Sequence, residues 1–328
     1  MSTPAIITHK DRILGGLWGS LVGDALGVPV EFKGRATVQA DPVINMRGFG
    51  SHRQPPGTWS DDSSLLLCSA ESLVRHEFDT EDMGKRFVAW YREEIWTPHG
   101  KVFDIGVTTS QALSHIATGC RAEVAGSDDQ YSNGNGSLMR IIPVGLRFAD
   151  LGTKQMLDRI HRASAITHRH SRSQMACGFF ALVVRELLKG RIPGVAFTNA
   201  LGEFRSFYEP IAWWSVEFDY FQMLLAGEFA QRSESEIDSS GYVIHTLVAS
   251  LWCLLTTSNF QECVLKAVNL GGDADTTGCV AGGLAGVAYG VKSIPADWIG
   301  QMARKDDVDR LFTEFADLAK GLGQQGAS

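Results

Sequence analysis

Ile13-Leu14-Gly15-Gly16-Leu17-Trp18-Gly19-Ser20-Leu21-Val22-Gly23-Asp24-Ala25-Leu26-Gly27 carries a glycine at every fourth position from Gly15 to Gly27. That spacing lays the four along one slowly drifting face of a helix. Residues 276–290 repeat the device with Gly278, Gly282, Gly286 and Gly290. A glycine inside a helix costs roughly 1 kcal/mol relative to alanine. Eight of them in two segments need a reason, and close approach of another backbone or of a ligand supplies one. In lipid the pattern would suggest helix dimerisation. Here Asp24 interrupts the first segment, and Asp275 and Lys292 bound the second. Both fall short of the roughly 20 apolar residues that span a bilayer. Two central helices packed tightly in a soluble core are therefore expected.

Working outward, helical periodicity recurs at 63–77, 82–95, 105–118, 155–166, 173–189, 196–207, 243–257, 260–269 and 307–322. Alternating β patterns are nearly absent. Residues 33–58 and 120–137 read as long loops rich in Gly, Pro, Ser, Asp or Asn, and loops of that length are usually functional or mobile. The stretch 208–241 reads as a helix plus an acidic surface loop. No repeat and no long linker divides the chain, so the expectation is an all-α fold, one compact helical bundle over residues 1–328.

Composition narrows the function. The chain has 328 residues, 44% hydrophobic and 20% charged, with a net charge of −7. Nucleic-acid binding is disfavoured, because neutralising phosphates needs a positive footprint. The six cysteines are scattered with no C-x-x-C pair, as in a reducing compartment. With no basic-then-apolar leader in Met1–Lys10, the expected setting is cytoplasmic and away from membranes.

Two acidic clusters lie roughly 210 residues apart, Ser60-Asp61-Asp62-Ser63 and Gly271-Gly272-Asp273-Ala274-Asp275-Thr276, each opening an apolar helix. Taken alone, the first is a helix N-terminus with carboxylates in its first turn. The second starts like an EF-hand loop but has Leu284 where the twelfth-position Glu belongs, so it is not one. Gly271 and Gly272 read instead as a tight turn delivering two aspartates. If the fold joins the clusters, four carboxylates meet, and their repulsion calls for a hard divalent cation. Three more motifs accompany them. Ser132-Asn133-Gly134-Asn135-Gly136 leads into Ser137-Leu138-Met139-Arg140 and could cradle phosphate on its backbone or be an ordinary turn. Thr167-His168 lacks zincin spacing. Gly23-Asp24-Ala25-Leu26-Gly27 precedes Glu31, a candidate general acid or base; Asp24 itself reads as a buried cap.

Together and in this order, from Gly15 to about Gly290, these motifs resemble the ADP-ribosylglycohydrolase family, which includes the enzymes that release ADP-ribose from modified dinitrogenase reductase. The resemblance implies the family's compact all-α fold, with two Mg²⁺ ions, or Mn²⁺, in a cleft. It implies Ser60, Asp61, Asp62, Asp273, Asp275 and Thr276 as metal ligands, and Glu31 and Asp62 as the catalytic pair. Ser132, Asn133, Gly134, Asn135 and Gly136 would wrap the ribose and diphosphate beside Gly271 and Gly272, with His168 at the distal ribose. Ser60 and Ser63 stand where threonine is more usual, and Asn133 where some relatives carry an aromatic contact. The implied activity is hydrolysis of mono-ADP-ribosyl protein side chains, most of all arginine, with ADP-ribose as product. Two alternatives stay open: a binding or immunity protein whose partner is an ADP-ribosyltransferase, and a hydrolase of another ADP-ribosyl compound, serine-linked, nucleic-acid-linked or a small metabolite.

Overall fold

The computed structural model describes residues 6–320, among which there are sixteen α-helices and no β-strand. In chain order they are α1 (His9–Gly27), α2 (Arg35–Ala40), α3 (Asp61–Arg75), α4 (Thr80–Glu93), α5 (Val107–Ala117), α6 (Ile142–Arg147), α7 (Thr153–Ala165) and α8 (Ser171–Leu188). They continue as α9 (Pro193–Tyr208), α10 (Ala212–Ser215), α11 (Gln222–Leu225), α12 (Val243–Leu255), α13 (Phe260–Val268), α14 (Ala274–Tyr289), α15 (Ala296–Gln301) and α16 (Lys305–Lys320). The nine helices expected from periodicity are all present, with ends moved by at most three residues. Residues 321 and 322 of the last expected helix lie outside the described chain.

The glycine segments pair with each other. A Cβ on Gly15 would lie 2.1 Å from the Gly286 carbonyl oxygen, one on Gly19 2.2 Å from that of Gly282, and one on Gly23 2.0 Å from that of Gly278. Those distances are impossible for real side chains, so α1 and α14 run antiparallel with backbone against backbone. Both helices are buried almost all round from Ile13 onward, as expected for central elements. A capping box starts α1: Thr8 Oγ1 accepts from the Asp11 amide, and the Asp11 carboxylate accepts from the Thr8 amide, both at 3.0 Å. Around this pair, α12 and α13 pack on α14, α3 and α16 lie against α1, and α7 and α9 flank α8. A contiguous apolar core runs through all of them, from Ile13 to Ala319.

The loop regions are less plain than their composition suggests. Residues 33–58 contain the short α2, and 120–137 contain one 3₁₀ turn, Ala122–Val124. The stretch 208–241 is not one helix and a loop. It is a chain of single turns, α10 and α11 with 3₁₀ turns at Phe218–Phe221, Phe229–Gln231 and Glu234–Glu236. Buried Trp214, Phe221, Leu224, Phe229 and Ile237 anchor it. Among the described residues no helix is long and apolar enough to cross a membrane. All six cysteine thiols are free, five of them buried.

Candidate active site

The glycine seam ends at a cluster of carboxylates. At Gly27 an added Cβ would lie 2.3 Å from the Asp275 Cα, so the C-terminal end of α1 touches the start of α14. One turn earlier, Asp24 accepts the Ser60 amide at 3.0 and 3.1 Å on its two oxygens, the Ser63 amide at 3.0 Å and the Ser63 hydroxyl at 2.5 Å. A carboxylate there answers the unpaired N–H groups and positive end of α3. Ser60 Oγ caps the same turn, accepting from the Asp62 amide at 3.3 Å. With the turn fixed, Asp62 Oδ1 accepts the Thr276 hydroxyl at 3.3 Å, which joins the two acidic motifs across 214 residues of sequence. The other oxygen, Asp62 Oδ2, is buried and has no hydrogen-bond partner among the described residues.

The second motif is held by its glycines. Gly271 and Gly272 both have positive φ, +71° and +69°, and a Cβ on Gly272 would lie 2.3 Å from the Ser239 oxygen. Phe32 N donates to Gly272 O at 2.7 Å and Gly272 N to Lys33 O at 2.8 Å; Asp273 N donates to Ser239 O at 2.8 Å. The turn is thereby stapled to the segment that carries Glu31 and to the end of 208–241. Gly271 and Gly272 shape this support and do not line the cleft. Asp273 Oδ2 accepts from Asn135 Nδ2 at 2.7 Å, and Asp275 Oδ1 from the Thr276 amide at 2.9 Å. Buried Glu31 holds His52 Nε2 through its carboxylate.

Three groups of side chains bring ligand atoms within 4.8 Å of one another: Asp24, Asp62 and Asp275; Glu31, Asp273 and Asp275; and Glu31, His52 and Asp104. Asp61 lines the same cleft, of about 250 Å³, but belongs to none of the three. Among the described residues no lysine or arginine lines that cleft. Burial first, and mutual repulsion among most of them, hold the carboxylic protons on: Asp24 and Glu31 are each pushed up to about 7, and Asp61, Asp62, Asp104 and Asp275 also rise. Hydrogen bonding to Glu31 raises His52. An oxygen-rich, anionic donor set with an orphaned buried carboxylate oxygen fits a hard divalent cation.

The opposite wall consists of the first turn of α5, Gly134, Asn135, Gly136, Met139 and His168. Burial, then the nearby Arg140, pushes His168 down to about 3, so it is neutral at any working pH. Ser132 is only partly buried and does not reach the cleft. Asn133 is buried; its Nδ2 donates to Gln130 O at 2.8 Å and its Oδ1 accepts from Ser173 Oγ at 3.0 Å. It borders a second hollow of about 410 Å³, with Tyr131, Arg172 and Tyr242, which shares Gly134 and Gly241 with the first.

Comparison with known proteins agrees with this architecture. The family model for ADP-ribosylglycohydrolase matches residues 6–326. The chain belongs to the ADP-ribosylglycohydrolase family. This glycohydrolase is 32% identical to the ADP-ribosylarginine hydrolase Tri1 of Pseudomonas putida (strain GB-1), over 97% of the chain and 81% of that protein. It is also 32% identical to the ADP-ribosyl-[dinitrogen reductase] glycohydrolase of Rhodospirillum rubrum, over 98% and 99%. A solved ADP-ribosylglycohydrolase-related protein complex superposes with a TM-score of 0.79 at 33% identity, covering 95% of this chain and 99% of that one. The all-α glycohydrolase fold and the enzyme class expected from the motifs are thus present. Three parts of the candidate site lie outside the motifs: Asp24 as a member of the acidic group, His52, and Asp104 with the α5 turn behind it. Asp104-Ile105-Gly106-Val107-Thr108-Thr109, a carboxylate just before a helix start, was the available signal for the last.

Proposed function

We propose that this enzyme hydrolyses the glycosidic bond between ADP-ribose and a protein side chain, arginine first of all, with the help of two Mg²⁺ ions or of Mn²⁺. The observation that supports the reading most is the contact of Thr276 with Asp62, which joins two carboxylate motifs around an unpartnered buried oxygen. Asp24, Asp62 and Asp275 would hold one ion and Asp273 and Asp275 another, with Asp61, Ser60 and Thr276 completing the sets, while Glu31 beside them is left to carry a proton. Bound there, such ions would polarise sugar hydroxyls and make a coordinated water more acidic. Arginine as carrier is supported by two relatives, the ADP-ribosylarginine hydrolases Tri1 of P. putida and Serratia proteamaculans.

In this reading the bond from the anomeric carbon to the side-chain nitrogen breaks through an oxocarbenium-like state. Water adds to the carbon, and the nitrogen leaves with a proton. The clustered carboxylates stabilise the cationic sugar. Glu31, pushed up to about 7, holds a proton near neutral pH and can pass it on, a role worth about 10²–10⁴-fold. Neutral His168 can hydrogen-bond the distal ribose without adding charge. Gly134–Gly136 leave room for the diphosphate, and the adjoining hollow with Tyr131, Arg172 and Tyr242 suits the adenosine. The decisive assay measures free ADP-ribose released from arginine-, serine- and cysteine-linked ADP-ribosyl proteins, with Mg²⁺ or EDTA. Metal-dependent release from the arginine substrate is expected. No release from any of the three would refute the hydrolase reading.

A further inference from the structure

Arg140 is the most deeply buried of the described arginines. It is fully buried, yet no carboxylate pairs with it, and Nε and one terminal nitrogen have no hydrogen-bond partner. A buried unpaired cation is expensive unless something is gained from it. Its guanidinium lies 4.5 Å from the centroid of Phe87, and burial lowers its pKa to about 10, so it remains charged at neutral pH. The remaining nitrogen donates to Ala163 O at 3.2 Å and to Thr167 Oγ1 at 2.8 Å. Thr167 Oγ1 in turn lies 2.9 Å from His168 Nδ1. Arginine can only donate, so the Thr167 oxygen accepts from it and keeps its own hydrogen for the ring nitrogen. The far edge of the ring faces Gly134 and Gly136, where added Cβ atoms would lie 3.5 Å from Nε2 and 2.8 Å from Cε1. Among the described residues, His168 Nε2 has no hydrogen-bond partner, and the ring lines the cleft.

We propose that Arg140 is a positioning residue which, through the Thr167 hydroxyl, fixes His168 in the Nε2–H tautomer so that it donates one hydrogen bond into the ligand cleft. Among the described residues the Thr167 hydroxyl has no acceptor but His168 Nδ1, since arginine cannot accept, so its hydrogen goes to the ring nitrogen. The same buried charge disfavours protonation of His168, so the ring stays a single-proton donor. A donor suits a ribose or phosphate oxygen, whereas the Nδ1–H tautomer would present a lone pair to it. The assignment rests on the reading of this cleft as the ADP-ribose site only for its consequence in binding. The tautomer itself is a property of the ligand-free protein.

The test is long-range ¹H–¹⁵N NMR of His168 in the full chain, together with calorimetric titration of ADP-ribose in Mg²⁺. Wild type should show Nε2–H. Thr167→Val, which keeps the shape and removes the hydroxyl, should lose that preference and weaken ADP-ribose binding about tenfold. Thr167→Ser should restore both, and Arg140→Met, where it folds, should resemble Thr167→Val. Nδ1–H in wild type, or an unchanged Nε2–H signal in Thr167→Val, overturns the proposal. So does a tautomer switch that leaves ADP-ribose affinity unaltered. Wild type that binds no ADP-ribose would instead defeat the reading of the cleft, with the tautomer still measured.

Discussion

Helices α1 and α14 meet in two zones governed by opposite physics. At Gly15, Gly19 and Gly23 against Gly286, Gly282 and Gly278 the backbones touch directly, and contact there is limited by carbonyl oxygens. A few residues further on, from Asp24 and Gly27 against Asp275, the same helices surround carboxylates that repel one another. The first zone gains from close packing, and the second costs free energy whenever its charges are formed without compensation. The rigid zone sets the position of the costly one: glycines in backbone contact have no rotamers through which to relax, so the aspartates cannot drift apart.

The largest effect should come from breaking the seam. Gly23→Val puts a branched side chain where even a Cβ would lie 2.0 Å from the Gly278 oxygen. The helices must separate, which costs several kcal/mol, about 3 or more, out of a typical total of 5–15. Little or no folded protein is expected by circular dichroism and gel filtration. Gly202, exposed inside α9 with nothing within 4 Å, is the control. Gly202→Ala should raise stability by about 0.5–1 kcal/mol. If both substitutions behave alike, the seam has no special status.

Breaking the acidic zone should act the other way. Asp62→Asn removes a buried carboxylate with an unpartnered oxygen. ADP-ribose release should fall about 10²–10⁴-fold, while the melting temperature in EDTA stays level or rises. A variant that is active, or clearly less stable without metal, would contradict the contrast between the zones.

Much of this contrast is legible in the sequence. The four-residue glycine period and the helical periodicity around it are local signals that burial then enforces, and the acidic motifs sit at helix starts where carboxylates are favoured. His52 and Asp104 are not legible because they come from irregular segments without a period, and only tertiary packing brings Asp104 to the cleft and His52 to Glu31. Asp24 was read as a cap, which its four bonds to the first turn of α3 bear out, but its place in the acidic group needed three dimensions. The stretch 208–241 misled for a related reason. Its aromatics anchor separate single turns, so their spacing follows the pockets they fill and not a helical repeat.

A smaller effect probes the bond between the two acidic motifs. Thr276→Val keeps the volume and deletes the hydroxyl that Asp62 accepts, so release of ADP-ribose should fall about tenfold. Thr276→Ser keeps the hydroxyl and should stay within about threefold of wild type. Equal loss in both would mean that the methyl group, not the hydrogen bond, matters at this position.

The smallest expected signal is a difference between two melting shifts. Asp24 and Glu31 hold their protons to about 7 in the folded chain, against 3.8 and 4.5 in model compounds. A raised folded value means that their contribution is complete below about pH 4 and is lost as pH rises through 7. Buried His161, pushed down to about 3, works in the opposite direction. The unfolded chain takes up that proton below 6.5, so stability from this group is full above 6.5 and falls as pH drops toward 3. Absolute melting temperatures therefore mix the two limbs, whereas the change on adding Mg²⁺ cancels His161. The metal binds the deprotonated carboxylates, so its stabilisation should be larger at pH 8 than at pH 5.5, by about 1 kcal/mol or a few degrees. A shift equal at both values, or larger in acid, would mean that the cation is not held by the carboxylates at the end of the seam.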